Sequence, residues 1–357
     1  MRLKCPKCAK SFAPDRPTGE ITCPHCGATF PAEALAETKE LRSARPSATD
    51  ETLADTNARP TDETLPVAAP AAHASATPTD FAGYEILGEL GRGGMGIVYK
   101  ARDAKLNRIV ALKVLIAGEG ASQEQVERFF REAESAAKLK HPNIVPIHEL
   151  NIHAGKHYFT MDFVEGTPLD EVIESGELTP QKSMEYMEQV ARAVHHAHEQ
   201  GVIHRDLKPS NIIISNDGRP MVMDFGLAKE VDVEGGLTQS GTALGTPQYM
   251  SPEQASGASR DVGPVSDVYA LGAVLYEMLT GRPPFVADNI MSLLNAVVGE
   301  DPVPPRMVDP RIPRDAEVIC LKCLEKELGR RYQSAKELRE DCQRLLAGYE
   351  SEARKAA

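Results

Sequence analysis

Gly91-Arg92-Gly93-Gly94-Met95-Gly96-Ile97-Val98 fits the pattern G-x-G-x-x-G-x-V, and its flanks decide the fold. Glycines at this spacing serve two architectures. In a dinucleotide-binding unit they follow a strand and open a helix. Here they lie between Glu85-Ile86-Leu87 and Ile97-Val98-Tyr99-Lys100, which both read as strands. The stretch is therefore a glycine hairpin, and a triphosphate lying beneath it fits better than a dinucleotide. Glycine permits the tight turn and lets backbone N–H groups approach phosphates with no side chain between them.

Working outward, Val110-Ala111-Leu112-Lys113 places a lysine in an apolar strand 17 residues after Gly96. Lysine is seldom buried there unless paired. A helical pattern from about Ser122 to Leu139 offers Glu132, on the face shared with Phe129 and Ala136. An ion pair from Lys113 to Glu132 would aim the ammonium at the α- and β-phosphates. Short alternating apolar runs fill the 80 residues or so after Tyr84, whereas beyond about residue 165 helical patterns prevail. These run Gln181 to Gln200, Ser266 to Thr280, Asn289 to Val298, Ala316 to Glu327 and Ser334 to Leu346. The expected architecture is α+β, a small sheet-rich lobe followed by a larger helical one.

Further along stand His204-Arg205-Asp206-Leu207-Lys208-Pro209-Ser210-Asn211, then the apolar runs Ile212-Ile213-Ile214 and Met221-Val222-Met223, then Asp224-Phe225-Gly226. Ser251-Pro252-Glu253 closes a segment of 30 residues counted from Asp224. With these motifs in this order, the sequence resembles the eukaryotic-type protein kinases, and among them the bacterial Ser/Thr kinases. The resemblance covers residues 84–346, nearly three quarters of the chain. It implies a bilobal kinase fold over 81–347, with an N-lobe of about 81–163, a C-lobe of about 164–347 and a tail at 348–357.

The resemblance also implies the chemistry, non-specific serine/threonine phosphorylation with ATP and Mg²⁺ (or Mn²⁺ in its place). Phosphoryl transfer spreads negative charge over the moving group, so the catalyst must hold cations and align the nucleophile. Asp224 would chelate the metal bridging the β- and γ-phosphates, and Asn211 would offer a neutral oxygen to a second ion. Asp206 would orient the substrate hydroxyl and Lys208 would steady the γ-phosphate. Thr246, in Gly245-Thr246-Pro247, matches a threonine that hydrogen-bonds near the catalytic Asp. Leu90, Gly91 to Gly96, Val98 and Ala111 would enclose the nucleotide. Met161 would be the gatekeeper and Asp162-Phe163-Val164 the hinge facing adenine. Glu253 would pair with Arg331, and Asp267 would hold the catalytic loop. Ser251 replaces an alanine common in the family. Arg205 invites a phosphate on the activation segment, which makes Thr238, Ser240 and Thr242 the expected autophosphorylation sites.

The N-terminus is a different object. Cys5-Pro6-Lys7-Cys8 and Cys23-Pro24-His25-Cys26 are CxxC pairs 14 residues apart, each followed at the same offset by Phe12 or Phe30. Two such knuckles place four thiolates around one structural Zn²⁺. The alternatives are a rubredoxin-like iron site or a redox dithiol. Some 30 residues cannot fold on apolar burial alone, so metal binding would supply the folding energy. The domain reading is thus a zinc ribbon at 1–30 and a linker at 31–80, where only Leu35, Leu41, Leu53, Leu65 and Val67 are aliphatic residues larger than alanine. The linker repeats Thr49-Asp50-Glu51-Thr52-Leu53 as Thr61-Asp62-Glu63-Thr64-Leu65, either drifting acidic filler or phosphothreonine motifs read by a partner.

Composition narrows the partners. The formal charge is −12, divided as +3 over 1–30, −5 over 31–80 and −10 over the rest. That balance makes nucleic acid an unlikely partner and leaves protein Ser/Thr hydroxyls as the substrate class. The longest strongly apolar stretch, Val268 to Leu279, is about a dozen residues against the roughly 20 of a membrane span. With no signal-like start, a cytoplasmic location without membrane attachment is expected. No sensor domain is expected after the kinase unit. Cys320, Cys323 and Cys342 read as buried structural thiols, and His195-His196-x-His198 as family-typical helix text rather than a metal site. The rival readings are a pseudokinase-like scaffold, opposed by the presence of Lys113, Asp206, Asn211 and Asp224, and a binding protein directed by the ribbon.

Overall fold

A computed structural model gives the architecture. The structure describes residues 3–4, 11–12, 20–22 and 29–31 near the N-terminus, then 80–93, 96–115, 133–225 and 247–356. The chain divides into two units, Met1–His73 and Ala74–Ala357.

The first unit holds two antiparallel hairpins. β1 (Leu3–Lys4) pairs with β2 (Ser11–Phe12), setting Leu3 opposite Phe12, and β3 (Glu20–Thr22) pairs with β4 (Thr29–Pro31), setting Ile21 opposite Phe30. Each Phe therefore lies across from the apolar residue two places before the first cysteine of its pair. The sequence repeat is a repeat of structure. Cys5, Cys8, Cys23 and Cys26 themselves lie outside the described residues, as does the linker through residue 79.

The second unit opens with a six-stranded antiparallel sheet of order β5-β6-β7-β8-β10-β9. Its strands are β5 (Asp80–Phe81), β6 (Tyr84–Gly93), β7 (Gly96–Asp103), β8 (Arg108–Leu115), β9 (Ile147–His153) and β10 (Lys156–Asp162). Side chains alternate across a strand, so β8 feeds two cores. Val110, Leu112 and Val114 join Tyr84, Tyr99 and Tyr158 on one face. Ala111, with Phe159 and Met161, faces the other and forms the roof of the cleft between the lobes.

The helical lobe is built around α4 (Pro264–Thr280), which contains the apolar run Val268 to Leu279. Apart from half-buried Glu277, which accepts from the Tyr249 hydroxyl at 2.6 Å, that run is apolar and buried on all sides. Around it pack α2 (Pro180–Glu199), α5 (Ile290–Gly299), α7 (Arg314–Cys323) and α8 (Ala335–Leu346). The short helices α1 (Leu169–Glu174), α3 (Pro252–Ala255), α6 (Pro305–Val308) and α9 (Glu352–Ala356) complete it. A small sheet of β11 (Gly166–Pro168), β12 (Ile212–Ser215) and β13 (Pro220–Val222) lies beneath the cleft. No helix among the described residues is long and apolar enough to cross a membrane.

Two boundaries differ from the sequence reading. α7, expected to reach Glu327, stops at Cys323. The carbonyls of Glu325 and Lys326 instead accept from the Arg331 guanidinium at 2.7 and 3.1 Å, which turns the chain out of the helix. Residues 348–356, read as a tail, are docked. Ser351 is fully buried and donates through N and Oγ to Asp315, while the N–H groups of Glu352 and Ala353 donate to Asp341. Cys320, Cys323 and Cys342 are buried free thiols, and burial pushes each thiol pKa up.

Candidate active site

The glycine stretch is a hairpin. β6 and β7 pair Gly91 with Val98, Arg92 with Ile97 and Gly93 with Gly96, while Gly94 and Met95 at its tip lie outside the described residues. Gly96 cannot be replaced freely, because a Cβ there would sit 2.5 Å from the Val114 carbonyl oxygen. Arg92 turns away to Glu89 at 2.8 Å and Leu90 stands half exposed at the mouth.

Ala111 and Met161 are register partners on β8 and β10, and Val98 and Val164 pack on the same cluster. A bulge between Thr160 and Met161 ends the regular pairing with β9 just before Asp162. Exposed Asp162 accepts from His148 Nε2 at 2.8 Å, and its N–H donates to Pro146 O. Sequence reasoning missed Met221 and Met223, which pack against this cluster from below. The available signal was the position of Met223 immediately before Asp224.

Lys113 is 9 % exposed, and its ammonium lies 2.7 Å from Asp224 Oδ2, bridging the two lobes. The expected partner, Glu132, lies outside the described residues. Asp224 has φ +61°, and its other carboxylate oxygen, Oδ1, is buried with no hydrogen-bond partner. That orphaned hard oxygen suits a divalent cation. Asn211 is close by chain geometry, because Ile212 pairs with Val222 and Met223 N–H donates to Asn211 O.

Asp206 is held by its neighbours. Lys208 Nζ reaches Asp206 Oδ2 at 2.7 Å, and Asn211 Nδ2 donates to the Asp206 carbonyl at 2.7 Å and to Oδ2 at 3.2 Å. Both contacts use the amide nitrogen of Asn211, which leaves its amide oxygen out of the bonds to Asp206. Asp267, at the start of α4, accepts from the N–H groups of His204 and Arg205 at 2.8 and 2.9 Å and from His198 Nε2 at 2.7 Å. His198 is thus structural. His196 stacks on His141 and His195 lies 3.6 Å from Glu199, so the three imidazoles meet different partners.

Arg331 and Glu253 form a buried two-pronged pair with both N–O distances at 2.9 Å. Burial alone would raise the Glu253 pKa; the hydrogen bonds from Arg331 and Ser266 outweigh it and hold the carboxyl below its ordinary value. Thr238, Ser240, Thr242 and Thr246 lie outside the described residues.

This arrangement, a glycine hairpin over an apolar slot with a lysine and two carboxylates converging beneath it, suits a nucleoside triphosphate and a hydroxyl acceptor. Comparison with known proteins agrees. The chain is 43 % identical over 277 residues to Serine/threonine-protein kinase PknB of Mycobacterium leprae, covering 76 % of this chain and 44 % of that protein. It is 42 % identical over 286 residues to PknB of Mycobacterium tuberculosis, covering 78 % and 45 %. The chain therefore spans less than half the length of these curated relatives. Among solved structures, the Mycobacterium tuberculosis PknI kinase domain superposes with a TM-score of 0.61 at 28 % identity, over 75 % of this chain and 97 % of that one. The family model described as "Protein kinase domain" matches residues 84–342, and the chain belongs to the protein kinase family.

Proposed function

We propose that this chain transfers the γ-phosphate of ATP to serine or threonine hydroxyls of proteins. The observation that carries the reading is the convergence of Lys113 on Asp224 and of Lys208 and Asn211 on Asp206. Two donors occupy Asp206 Oδ2, so Oδ1 is the atom that accepts the substrate hydroxyl proton as the oxygen attacks phosphorus. The new O–Pγ bond forms while the bond from Pγ to the β-phosphate oxygen breaks, and ADP leaves. Lys208 spans from Asp206 to the moving phosphoryl group. Lys113, whose ammonium already reaches the Asp224 carboxylate, would direct that ammonium to the α- and β-phosphates. Asp224 Oδ1 and the Asn211 amide oxygen would hold Mg²⁺ or Mn²⁺, which would supply positive charge against the β- and γ-phosphates. Leu90, the glycines, Val98, Ala111, Met161, Asp162 and Val164 enclose the nucleotide.

Activation follows from Arg205, beside the catalytic Asp. Phosphate on Thr238, Ser240 or Thr242 would form charge-assisted hydrogen bonds with this guanidinium. Glu132 would pair with Lys113 and steady its ammonium. The two N-terminal hairpins support a ribbon in which Cys5, Cys8, Cys23 and Cys26 hold one structural Zn²⁺. The linker threonines are candidate phosphorylation sites for a phosphothreonine-reading partner, and the working location is the cytoplasm.

Intact mass spectrometry of protein incubated with Mg²⁺ and ATP tests the reading, with Asp224→Asn as control. Wild type should gain steps of about 80 Da that map to Thr238–Thr242, and the variant none. Folded, initially unphosphorylated wild type that neither gains mass nor labels a general acceptor such as myelin basic protein would favour a scaffold instead.

A further inference from the structure

Arg205 carries a backbone conformation that L-residues avoid, with φ +67°, one position before Asp206. The peptide groups on its two sides are gripped by different elements. Its N–H donates to Asp267 Oδ1 at 2.9 Å, and its carbonyl accepts from Gln254 Nε2 at 2.8 Å. The first grip belongs to the expected loop-holding role of Asp267. The second comes from α3, at the far end of the activation segment, and no motif predicted it.

The orientation of the Gln254 amide is fixed by chemistry. Its Oε1 accepts from Ser251 N at 3.0 Å and from Ser251 Oγ at 3.1 Å, so its nitrogen must face Arg205. A backbone N–H can only donate and a carbonyl can only accept, so the flipped amide would lose both main-chain contacts. Ser251 also caps α3 by accepting from Gln254 N, and its side chain is fully buried. The neighbouring Glu253 is pinned to Arg331 by two hydrogen bonds of 2.9 Å. A rigid line thus runs from Arg331 through Glu253 and Gln254 to the carbonyl of Arg205.

We propose that Gln254, its amide oriented by Ser251, is a positioning residue for phosphotransfer: it holds the Arg205 carbonyl and so fixes the backbone from which Asp206 projects. This rests on the phosphotransfer reading above. It also gives the serine at 251 a purpose that alanine could not serve.

The test uses the full chain with Gln254→Met, Gln254→Glu and Ser251→Ala. Methionine keeps the length without the amide, and glutamate keeps the Ser251 acceptor but sets a carboxylate oxygen against the carbonyl. Steady-state rates on myelin basic protein, melting temperature and amide hydrogen exchange over residues 203–208 are read for each. Both Gln254 variants should lose on the order of 10- to 100-fold in kcat, glutamate at least as much as methionine, with KM for ATP within about twofold of wild type. Exchange over 203–208 should rise while the melting temperature stays within about 2 °C. Ser251→Ala should fall between. Unchanged kcat with unchanged exchange overturns the proposal, as does a joint fall of kcat, ATP affinity and melting temperature, which marks a general fold defect. A wild type that turns nothing over sinks the phosphotransfer reading instead. In that case the exchange arm still decides the tether: unchanged exchange in Gln254→Met removes it.

Discussion

His141 shows how a single side chain far from the nucleotide can tie stability to pH. Its Nδ1 accepts the Asn143 N–H at 3.1 Å, and its ring stacks on His196 at 5.3 Å. Burial first, then His196 and Arg192, push its pKa down from 6.5 to about 4. The folded state therefore prefers the neutral ring. Its contribution is intact above about pH 6.5 and is lost as pH falls from there towards 4, because the unfolded chain binds the proton more readily. The turn it supports matters to the site: Asn143 is 1 % exposed, accepts from Arg192 Nη2 and from Val222 N, and donates to Pro220 O, so it holds β13 just ahead of Asp224. His141→Asn retains an acceptor for the Asn143 N–H without titrating in this range. Melting curves between about pH 7 and pH 4.5 should fall more steeply for wild type than for the variant. Parallel slopes would remove His141 as the cause. At this scale the sequence made the Glu253–Arg331 pair and the role of Asp267 legible, since both are implied by the resemblance to the protein kinases. The Lys113–Asp224 contact and the Gln254 tether were not legible, because each depends on how distant backbones approach.

Helices whose ends carry local chemistry were readable. Thr179, Asn289 and Ser334 cap α2, α5 and α8 with side-chain oxygens, and Gly281 closes α4 with φ +74°. Those boundaries agree with the periodicity to within a residue or two. The end of α7 was not readable, because the Arg331 guanidinium, not a cap, takes its outgoing carbonyls. The contact of α4 with α7 depends on Gly272: a Cβ there would lie 2.4 Å from Cys323 Cβ, and its carbonyl accepts from Cys320 Sγ at 3.6 Å. Gly299, the last residue of α5, has open space where a Cβ would be. The same substitution should thus act with opposite sign at the two sites. Gly272→Ala should cost about 1–3 kcal/mol through overpacking, whereas Gly299→Ala should gain about 0.4–1 kcal/mol by restricting the unfolded chain. Denaturant midpoints measure both, and a Gly272→Ala midpoint equal to wild type would show that the two helices can separate at little cost.

At the scale of the whole molecule, the chain joins two units of different composition. The unit Ala74–Ala357 rests on apolar burial around α4 and on both faces of the large sheet, and the clusters that form its cores begin at Tyr84. Composition alone announced this contrast, since the aliphatic residues of a core are nearly missing between Pro31 and Pro70. The hairpins β1–β2 and β3–β4 have only Leu3, Phe12, Ile21 and Phe30 as large apolar residues in their strands. Isolated two-stranded hairpins are marginal in water, so a further source of free energy is required. The paired CxxC loops supply one if they close on a metal, because four thiolates around Zn²⁺ convert binding energy into folding energy. Purified full-length protein should then carry about one zinc per chain, colourless and with no iron absorption. Removing it with a strong chelator, or by Cys23→Ser with Cys26→Ser, should abolish amide protection at 3–31. The main thermal transition should move by less than about 2 °C, since the described residues of its cores all lie in the unit Ala74–Ala357. Protein free of zinc and iron with protected hairpins would mean that the N-terminal unit is held together without metal.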